Sequence, residues 1–497
     1  MTRQYHVGGL DPVDARTLAD AERALGIVPA GCAWLDDRTC EDLDVGLVFR
    51  TIDRTTTPAG AQALWRWLAA PALELDVLAT RETAIARFAD RELRARAREA
   101  LGGGAQADAG FVPRLLWEPR APAIPIRAGV ASVAVMVTAA VLALVWWPPL
   151  AIVTLVLVMA HVLVDDWAGM KIAAPARSLE VLAGTLAAAD RAVRAGVLPA
   201  DVAGELAPLA MLRKRIAIFS LRDPIGIIEV VRAAFLVRLF VLERCLQIVE
   251  AERERLRRIV IQIGELDAAV AVAALRSEHP ETRIPELVID GACRLDGGEL
   301  VHPAIAGAVG NDLVLDDRGM LITGSNMSGK STFLRTLALQ AILAQSIHTT
   351  FGRWRASVFR VHAVMRIADD TAGGISTYAA EVAAVHELVR AVSSPAYARP
   401  ALFVLDEPFR GTNPAVRVPI VVAVLEYLAA RDLVVAATHD LDVAARLEAR
   451  FVRGHFSDDD DHFDHRLRPG IAASSNALAL LRRAGYPDAI VERVAGP

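Results

Sequence analysis

Two hydrophobic rhythms divide this chain. From Asp44 to Leu101 apolar residues recur at helical spacing, with Val45, Val48, Phe49 and Ile52 on one face and a second amphipathic run from Ala61 to Leu68. The same spacing returns from Leu179 to Leu198 and from Ile225 to about Leu275, and a short helix is predicted near Ala15 to Leu25. After residue 300 the rhythm changes. Asp312 to Thr323, Ala401 to Glu407 and Leu433 to His439 are short apolar runs ending on polar groups, the pattern of strands buried in a parallel sheet. Phe333 to Ala344 places Leu334, Leu337, Leu339 and Ile342 at helical spacing. The predicted order is an all-α part followed by an α/β part.

One stretch fits neither rhythm. Ala128 to Val164 carries no charged residue. Its first arm, Ala128 to Trp147, has the roughly 20 residues a bilayer-spanning helix needs; the second, Leu150 to Val164, reaches that only with its prolines or a thinned bilayer. Pro148 and Pro149 stop the first arm, and Trp146 and Trp147 suit a membrane interface. The reading is a transmembrane helical hairpin. Arg114, Arg120 and Arg127 before it and Lys171 and Arg177 after it put both ends in the cytoplasm, which predicts a multi-pass protein of the cell (inner) membrane. A hairpin buried in a soluble helical domain, or at a subunit interface, is the other reading. Phe235 to Leu242 is also apolar, but Arg238 interrupts it and it is not counted as a third span.

Composition adds three constraints. Length, at 497 residues, allows two to four domains, and the hydrophobic share of 54% asks for lipid or an unusually large core. A net charge of −5 offers no bulk attraction to nucleic acid, so any such contact needs a local basic patch. Arg91, Arg94, Arg96 and Arg98, and Arg253, Arg255, Arg257 and Arg258, are interleaved with glutamates, as on solvated helix faces. The cysteines, Cys32, Cys40, Cys245 and Cys293, lack C-x-x-C pairing and read as reduced thiols rather than a zinc site or disulfide framework. The first 31 residues do not have the apolar core of a signal peptide.

Gly324 to Ser331 fits G-x-x-x-x-G-K-[ST] between a predicted strand and a predicted helix. Gly324 and Gly329 let the backbone turn its N–H groups toward phosphates, and the helix start adds partial positive charge. Lys330 reaches the same phosphates, and Ser331 suits Mg²⁺. Asp406 suits Mg²⁺, Glu407 a base that orients water, and His439 a sensor of the γ-phosphate. Taken singly, these are also a glycine-rich turn, two solvated acids and a surface histidine. Their occurrence in one domain favours the nucleotide.

These motifs, with Gly374 to Glu381, Leu405 to Thr412 and Ala437 to Asp440, resemble in order and spacing the ATPase motifs of the MutS family of DNA mismatch repair proteins, of the ABC class of ATPases. The resemblance continues in Ile52 to Gly60, Trp65 to Pro71, Ile263 to Val270, His302-Pro303, Gly310 to Asp312, Arg466 to Gly470 and Ser475 to Pro487. It implies that Gly324, Ser325, Asn326, Met327, Ser328, Gly329, Lys330, Ser331 and Thr332 hold ATP, that Ser331 and Asp406 ligate Mg²⁺, and that Glu407, His439 and Lys330 are catalytic. Ser376 and Thr377 would complete the site of the opposite subunit, and Arg410, Gly411 and Thr412 would run along the interface, so a homodimer is implied. The chain departs from the family in three ways. The expectation is that no mismatch-reading or connector module stands before the core and that the chain between core and ATPase is too short for a full DNA clamp. Ala308 and Val309 stand where an aromatic commonly stacks on adenine, which leaves base preference open. Ser325 and Ser328 replace the loop's usual Pro and Gly.

The expected architecture is an α/β P-loop (ABC-type) ATPase domain over 279–497, preceded by an all-α core and lever (32–126 and 167–278) interrupted by the hairpin (127–166), with an extension over 1–31. The resemblance implies a membrane-anchored ATPase that acts on mismatched, branched or recombining DNA. The acidic charge keeps a second reading open: an ATP-driven switch or scaffold at the membrane that signals to a protein partner.

Overall fold

The computed structural model describes residues 12–102, 111–119, 126–217, 227–325, 328–365, 377–393, 400–447, 450–456, 463–471 and 485–487. The acidic run Asp458 to Asp461 and most of Ser475 to Pro487 lie outside them. The chain forms two compact units: Met1–Ile27, Asp53–Arg66 and Ala84–Ala274 in one, Val28–Ile52, Trp67–Thr83 and Leu275–Pro497 in the other.

The first unit is helical. A buried carboxylate organises one corner of it: Asp267 accepts hydrogen bonds from the backbone N–H of Thr56 (3.0 Å) and of Thr57 (2.6 Å) and from the Thr57 hydroxyl (2.7 Å). Thr57 in turn accepts from Gly60 N, at the start of the helix Pro58–Ala69. Helix starts leave such N–H groups unpaired and carry partial positive charge, which makes them a tolerable place for a buried acid. Burial still pushes Asp267 up to about 6, against the pull of these donors. Gly60 is required here, because a Cβ would lie 2.2 Å from Asp267 Oδ2.

The hairpin arms are the helix Ile126–Val145 and the first part of a 45-residue helix, Leu150–Arg194. The sequence places a boundary near residue 166 and a separate helix from Leu179; the structure instead runs one helix through both. Pro175 is the one strong breaker within it, and a single proline removes one hydrogen bond while the flanking turns keep theirs. Apolar windows over Ile126–Val145 and Leu150–Ala168 are only 11% and 6% buried, where the core helix of a soluble domain would be mostly covered.

The continuous helical pattern from Ile225 to Leu275 also needs correction. It is three helices, Ile227–Ala234, Val237–Ala251 and Arg253–Glu278, with Leu236 left-handed at φ 51°. A one-residue kink leaves the apolar spacing on either side intact, so periodicity does not reveal it. Arg253, Arg255 and Arg257 each pair with the glutamate three positions earlier, Glu250, Glu252 and Glu254. Arg257 also donates to Leu116 O and covers the Trp117 ring, which makes this row an intramolecular clasp.

The second unit holds the sheets. Its strands are β1 (Thr282–Arg283), β2 (Glu286–Val288), β3 (Arg294–Leu300), β4 (Asn311–Asp316), β5 (Gly319–Thr323), β6 (Thr350–Phe351), β7 (Arg353–Ser357), β8 (Arg360–Val364), β9 (Ala401–Asp406), β10 (Leu433–Ala437), β11 (Phe451–Phe456) and β12 (Leu467–Pro469). The largest sheet has the order β12-β11-β5-β10-β9-β8, parallel except for β12. Among the described residues a four-stranded sheet, β2-β7-β3-β4, and the pair β1-β6 accompany it. The single strand expected over Asp312 to Thr323 is β4 and β5, in different sheets. Asp317, left-handed at φ 50°, turns the chain between them, and its carboxylate accepts from Cys293 N (2.8 Å). Strands β5, β9 and β10 are buried nearly throughout, against helices Thr377–Ser393 and Pro414–Ala429.

Residues 28–52 are compact with these sheets. Their helix Asp37–Asp42 covers β8, the edge strand: Thr39 Oγ1 accepts from Ala363 N (3.1 Å) and Asp42 Oδ2 from Met365 N (2.9 Å). An uncovered edge would present unpaired N–H groups to other chains. Here two side chains from the N-terminal part close it.

Candidate functional site

Strand β5 ends at Thr323, and the chain enters the glycine loop at Gly324 before starting the helix Lys330–Ser346. Gly324 and Gly329 have φ of 141° and 111°, in the region open mainly to glycine. A Cβ on Gly329 would also lie 3.2 Å from the ring of His465. Lys330, 3% exposed, turns back into the loop and donates to Gly324 O (2.6 Å) and Ser325 O (2.7 Å). Ser328 donates to Ser325 O (2.8 Å) and tightens the same turn. Thr332 is exposed on the rim of the adjoining cleft. Asn326 and Met327 lie outside the described residues.

The ends of β9 and β10 meet this loop. Ser331 Oγ donates to Asp406 Oδ2 at 2.5 Å. Glu407, left-handed at φ 49°, is held by its N–H to Ala437 O (2.9 Å), and its side chain faces Lys330 Nζ at 4.0 Å. Nδ1 of His439 lies 3.1 Å from Glu407 Oε1, close but not aligned as a hydrogen bond, so this buried oxygen keeps an open acceptor position. The two carboxylates are tuned in opposite directions. Burial and the charge of Glu407 raise Asp406 above its ordinary value, against the Ser331 donor, Lys330 and Arg335. Burial also works to raise Glu407, but His439, Lys330 and Arg410 outweigh it and hold it below the usual carboxylate range.

Among the residues expected to complete a second subunit's site, Ser376 lies outside the described residues and Thr377 opens the helix Thr377–Ser393. The loop of Arg410, Gly411 and Thr412 lies against that helix: Gly411 N donates to Glu381 Oε2 (3.1 Å), and the Arg410 side chain is 65% exposed. The structure therefore joins the motif around Glu381 to the loop after β9.

A cleft of about 450 Å³ adjoins Lys330 and Ser331. His302, Ala308, Val309, Arg335 and His465 line it. His465 escaped the sequence reading. Its Nδ1 lies 3.0 Å from Ser328 O, and Asn311 fastens its segment by donating to His465 O (3.0 Å) and accepting from Leu467 N (2.7 Å). The one available signal was its place directly before Arg466, far from the loop in sequence. Arg335 was missed too: it donates to Asp42 O (2.8 Å), so the residue that covers β8 also touches the helix of the glycine loop.

Oxygen donors dominate beside Lys330. No group of three or more His, Cys, Asp or Glu side chains converges among the described residues. A metal at Ser331 and Asp406 would therefore take few protein ligands and lean on phosphate oxygens, a habit of Mg²⁺. The short Ser331–Asp406 contact fits such an ion, and the open acceptor on Glu407 fits a water that donates to it.

Residues 320–496 match the family model for MutS domain V. The chain is 33% identical over 259 residues to DNA mismatch repair protein MutS 2 of Halobacterium salinarum (48% of this chain, 29% of that protein). It is 35% identical over 263 residues to DNA mismatch repair protein MutS of Natronomonas pharaonis (49% and 29%). Against a DNA mismatch repair protein MutS of Thermus thermophilus it is 34% identical over 254 residues (49% and 30%). The matched stretch is thus about half of this chain and less than a third of each relative. Fold and site define a helical protein that ends in a MutS ATPase-type domain with a mixed set of sheets. Through residues 320–496 the chain is similar to MutS domain V.

The Glu407 environment gives a direct test. His439→Ala removes a contact that lowers the Glu407 pKa, so the carboxyl titration, followed by ¹³C NMR of labelled glutamate, should move to higher pH. An unmoved titration would mean that the 3.1 Å contact does not hold Glu407 ionised.

Proposed function

We propose that this chain is an ATP hydrolase of the P-loop, ABC-type class that works as a homodimer. The observation that carries this is the convergence of Lys330, the Ser331–Asp406 pair and the Glu407–His439 pair beside one cleft. Lys330 and the N–H groups at the start of its helix balance phosphate charge. Ser331 and Asp406 hold the Mg²⁺ that supplies charge neutralisation when bound. Glu407, kept ionised by its neighbours, orients a water and takes its proton. His465 offers a ring on the cleft wall that also carries Ala308 and Val309, and so a flat partner for a nucleobase.

One chain carries one set of motifs, and Arg410 stands exposed on a loop fixed by Glu381, which supports pairing of two copies. The relatives are named DNA mismatch repair proteins, and this supports an action on DNA. The pairing of Arg253, Arg255 and Arg257 with glutamates favours the second reading, in which ATP drives a switch that does not touch DNA, because it spends the basic row internally. The bare apolar arms support a membrane anchor with the ATPase and lever in the cytoplasm.

Lys330→Ala should abolish ATP turnover in a phosphate-release assay; an unchanged rate would refute the assignment. Glu407→Gln should keep nucleotide binding and slow turnover by about 10²–10⁴-fold, the usual worth of a positioned base. Binding to branched duplex should weaken steeply between low and high salt if DNA is the ligand, whereas no binding at low salt selects the switch. Carbonate at high pH should leave the chain in the membrane pellet, and its release would end the anchor reading.

A further inference from the structure

The short helix Ile227–Ala234 is followed by a break at Phe235–Leu236, and Leu236 is left-handed at φ 51°. Such a break releases backbone carbonyls from helical bonding. One of them, Ala234 O, accepts from His161 Nδ1 at 2.7 Å. His161 Nε2 lies 2.7 Å from Ser132 Oγ on the first arm. A neutral imidazole satisfies both at once, donating to the carbonyl and accepting from the hydroxyl. His161 is 4% exposed and sits in a run that is otherwise without titratable side chains. Its partners give a physical reason for its presence.

A second contact repeats this spacing. Arg238 donates to Asp165 O (2.6 Å) and faces the Asp165 carboxylate at 3.3 Å. Ala234 to His161 and Arg238 to Asp165 are both separated by 73 residues, so the chain across the break, from Ala234 to Arg238, keeps step with the second arm. Leu236 and Leu239 pack with Ala168, and Phe240 lies so near the first arm that a Cβ on Gly129 would be 3.1 Å from it. The break therefore lies at the level of His161, inside the apolar stretch Leu150–Ala168.

The short helix before the break carries exposed apolar side chains. Val230, Val231 and Phe235 are 54%, 51% and 41% exposed, continuous in character with Val156 and Leu163 on the second arm. Glu229 on the same helix, its side chain 60% exposed, faces Arg232 at 3.8 Å, so this surface carries a charged pair beside its apolar residues. We propose that Ile227–Ala234 and its break form a third lipid-facing element, embedded beside the hairpin without crossing the bilayer, with acyl chains covering Val230, Val231 and Phe235. Irregular backbone survives in hydrocarbon only where protein groups satisfy it, and His161 with Ser132 does this for Ala234. The inference rests on the hairpin lying in the bilayer.

Nitroxide labels at Val156→Cys, Val231→Cys, Phe235→Cys and Met211→Cys test it in the full chain in liposomes, with the wild-type chain setting the background from its own cysteines. Collision with oxygen and with a water-soluble nickel chelate is read by EPR. Positions 231 and 235 should match 156, favouring oxygen several-fold, while 211, on an exposed part of a helix, favours the chelate. If 231 and 235 favour the chelate and 156 favours oxygen, this proposal fails and the hairpin stands. If 156 also favours the chelate, both fail. Low collision with both probes at 231 and 235 means that protein, such as a second copy, covers the face, and it too overturns lipid contact.

Discussion

The register of three parallel strands brings the carboxylates of the candidate site level with its glycine loop. β10 sets Ala437 level with Ile322 of β5 on one side and with Asp406 of β9 on the other. The three strands therefore end together, and the chain leaves them at Gly324, Glu407 and Thr438. Backbone bonds continue past the strands, from Glu407 N to Ala437 O and from Thr438 N to Ile322 O, both 2.9 Å. A slip of one residue in β9 would send Asp406 to the opposite face and away from Ser331. Leu402 through Leu405 and Leu433 through Ala437 are fully buried, so a slip would have to refit every side chain in a close-packed core.

Upon that frame the site separates two adjacent acids. Asp406 is bound by Ser331 and pushed toward its neutral form by burial and by its neighbour; Glu407 is drawn the other way by Lys330, His439 and Arg410. The left-handed Glu407 belongs to the same design, because it turns that carboxylate back toward Lys330 and His439.

The helical unit meets a different constraint, that polar groups removed from water must find partners. Asp267 does so at a helix start, and the His161 pair does so at a helix break. The basic row on Arg253–Glu278 closes on its own glutamates. In each case the charge or dipole is used locally, and the surface left over is apolar on the hairpin.

The sequence by itself determined what depends on local chemistry. The glycine loop, the strand ends carrying Asp406 and Glu407, the uncharged arms and the halt at Pro148-Pro149 are written in contiguous residues whose conformations their side chains dictate. The family resemblance was legible for the same reason. Contacts between distant segments were decided only by the tertiary structure. His465 reaches Gly329, Asp42 reaches both Met365 and Arg335, and Ala234 reaches His161 through packing that no periodicity records. The division of Asp312 to Thr323 into β4 and β5, the unbroken helix through Pro175 and the kink at Leu236 belong to the same class. A left-handed residue costs about 1–3 kcal/mol and a proline inside a helix about 3 kcal/mol, and the folded chain meets that cost with contacts many residues away.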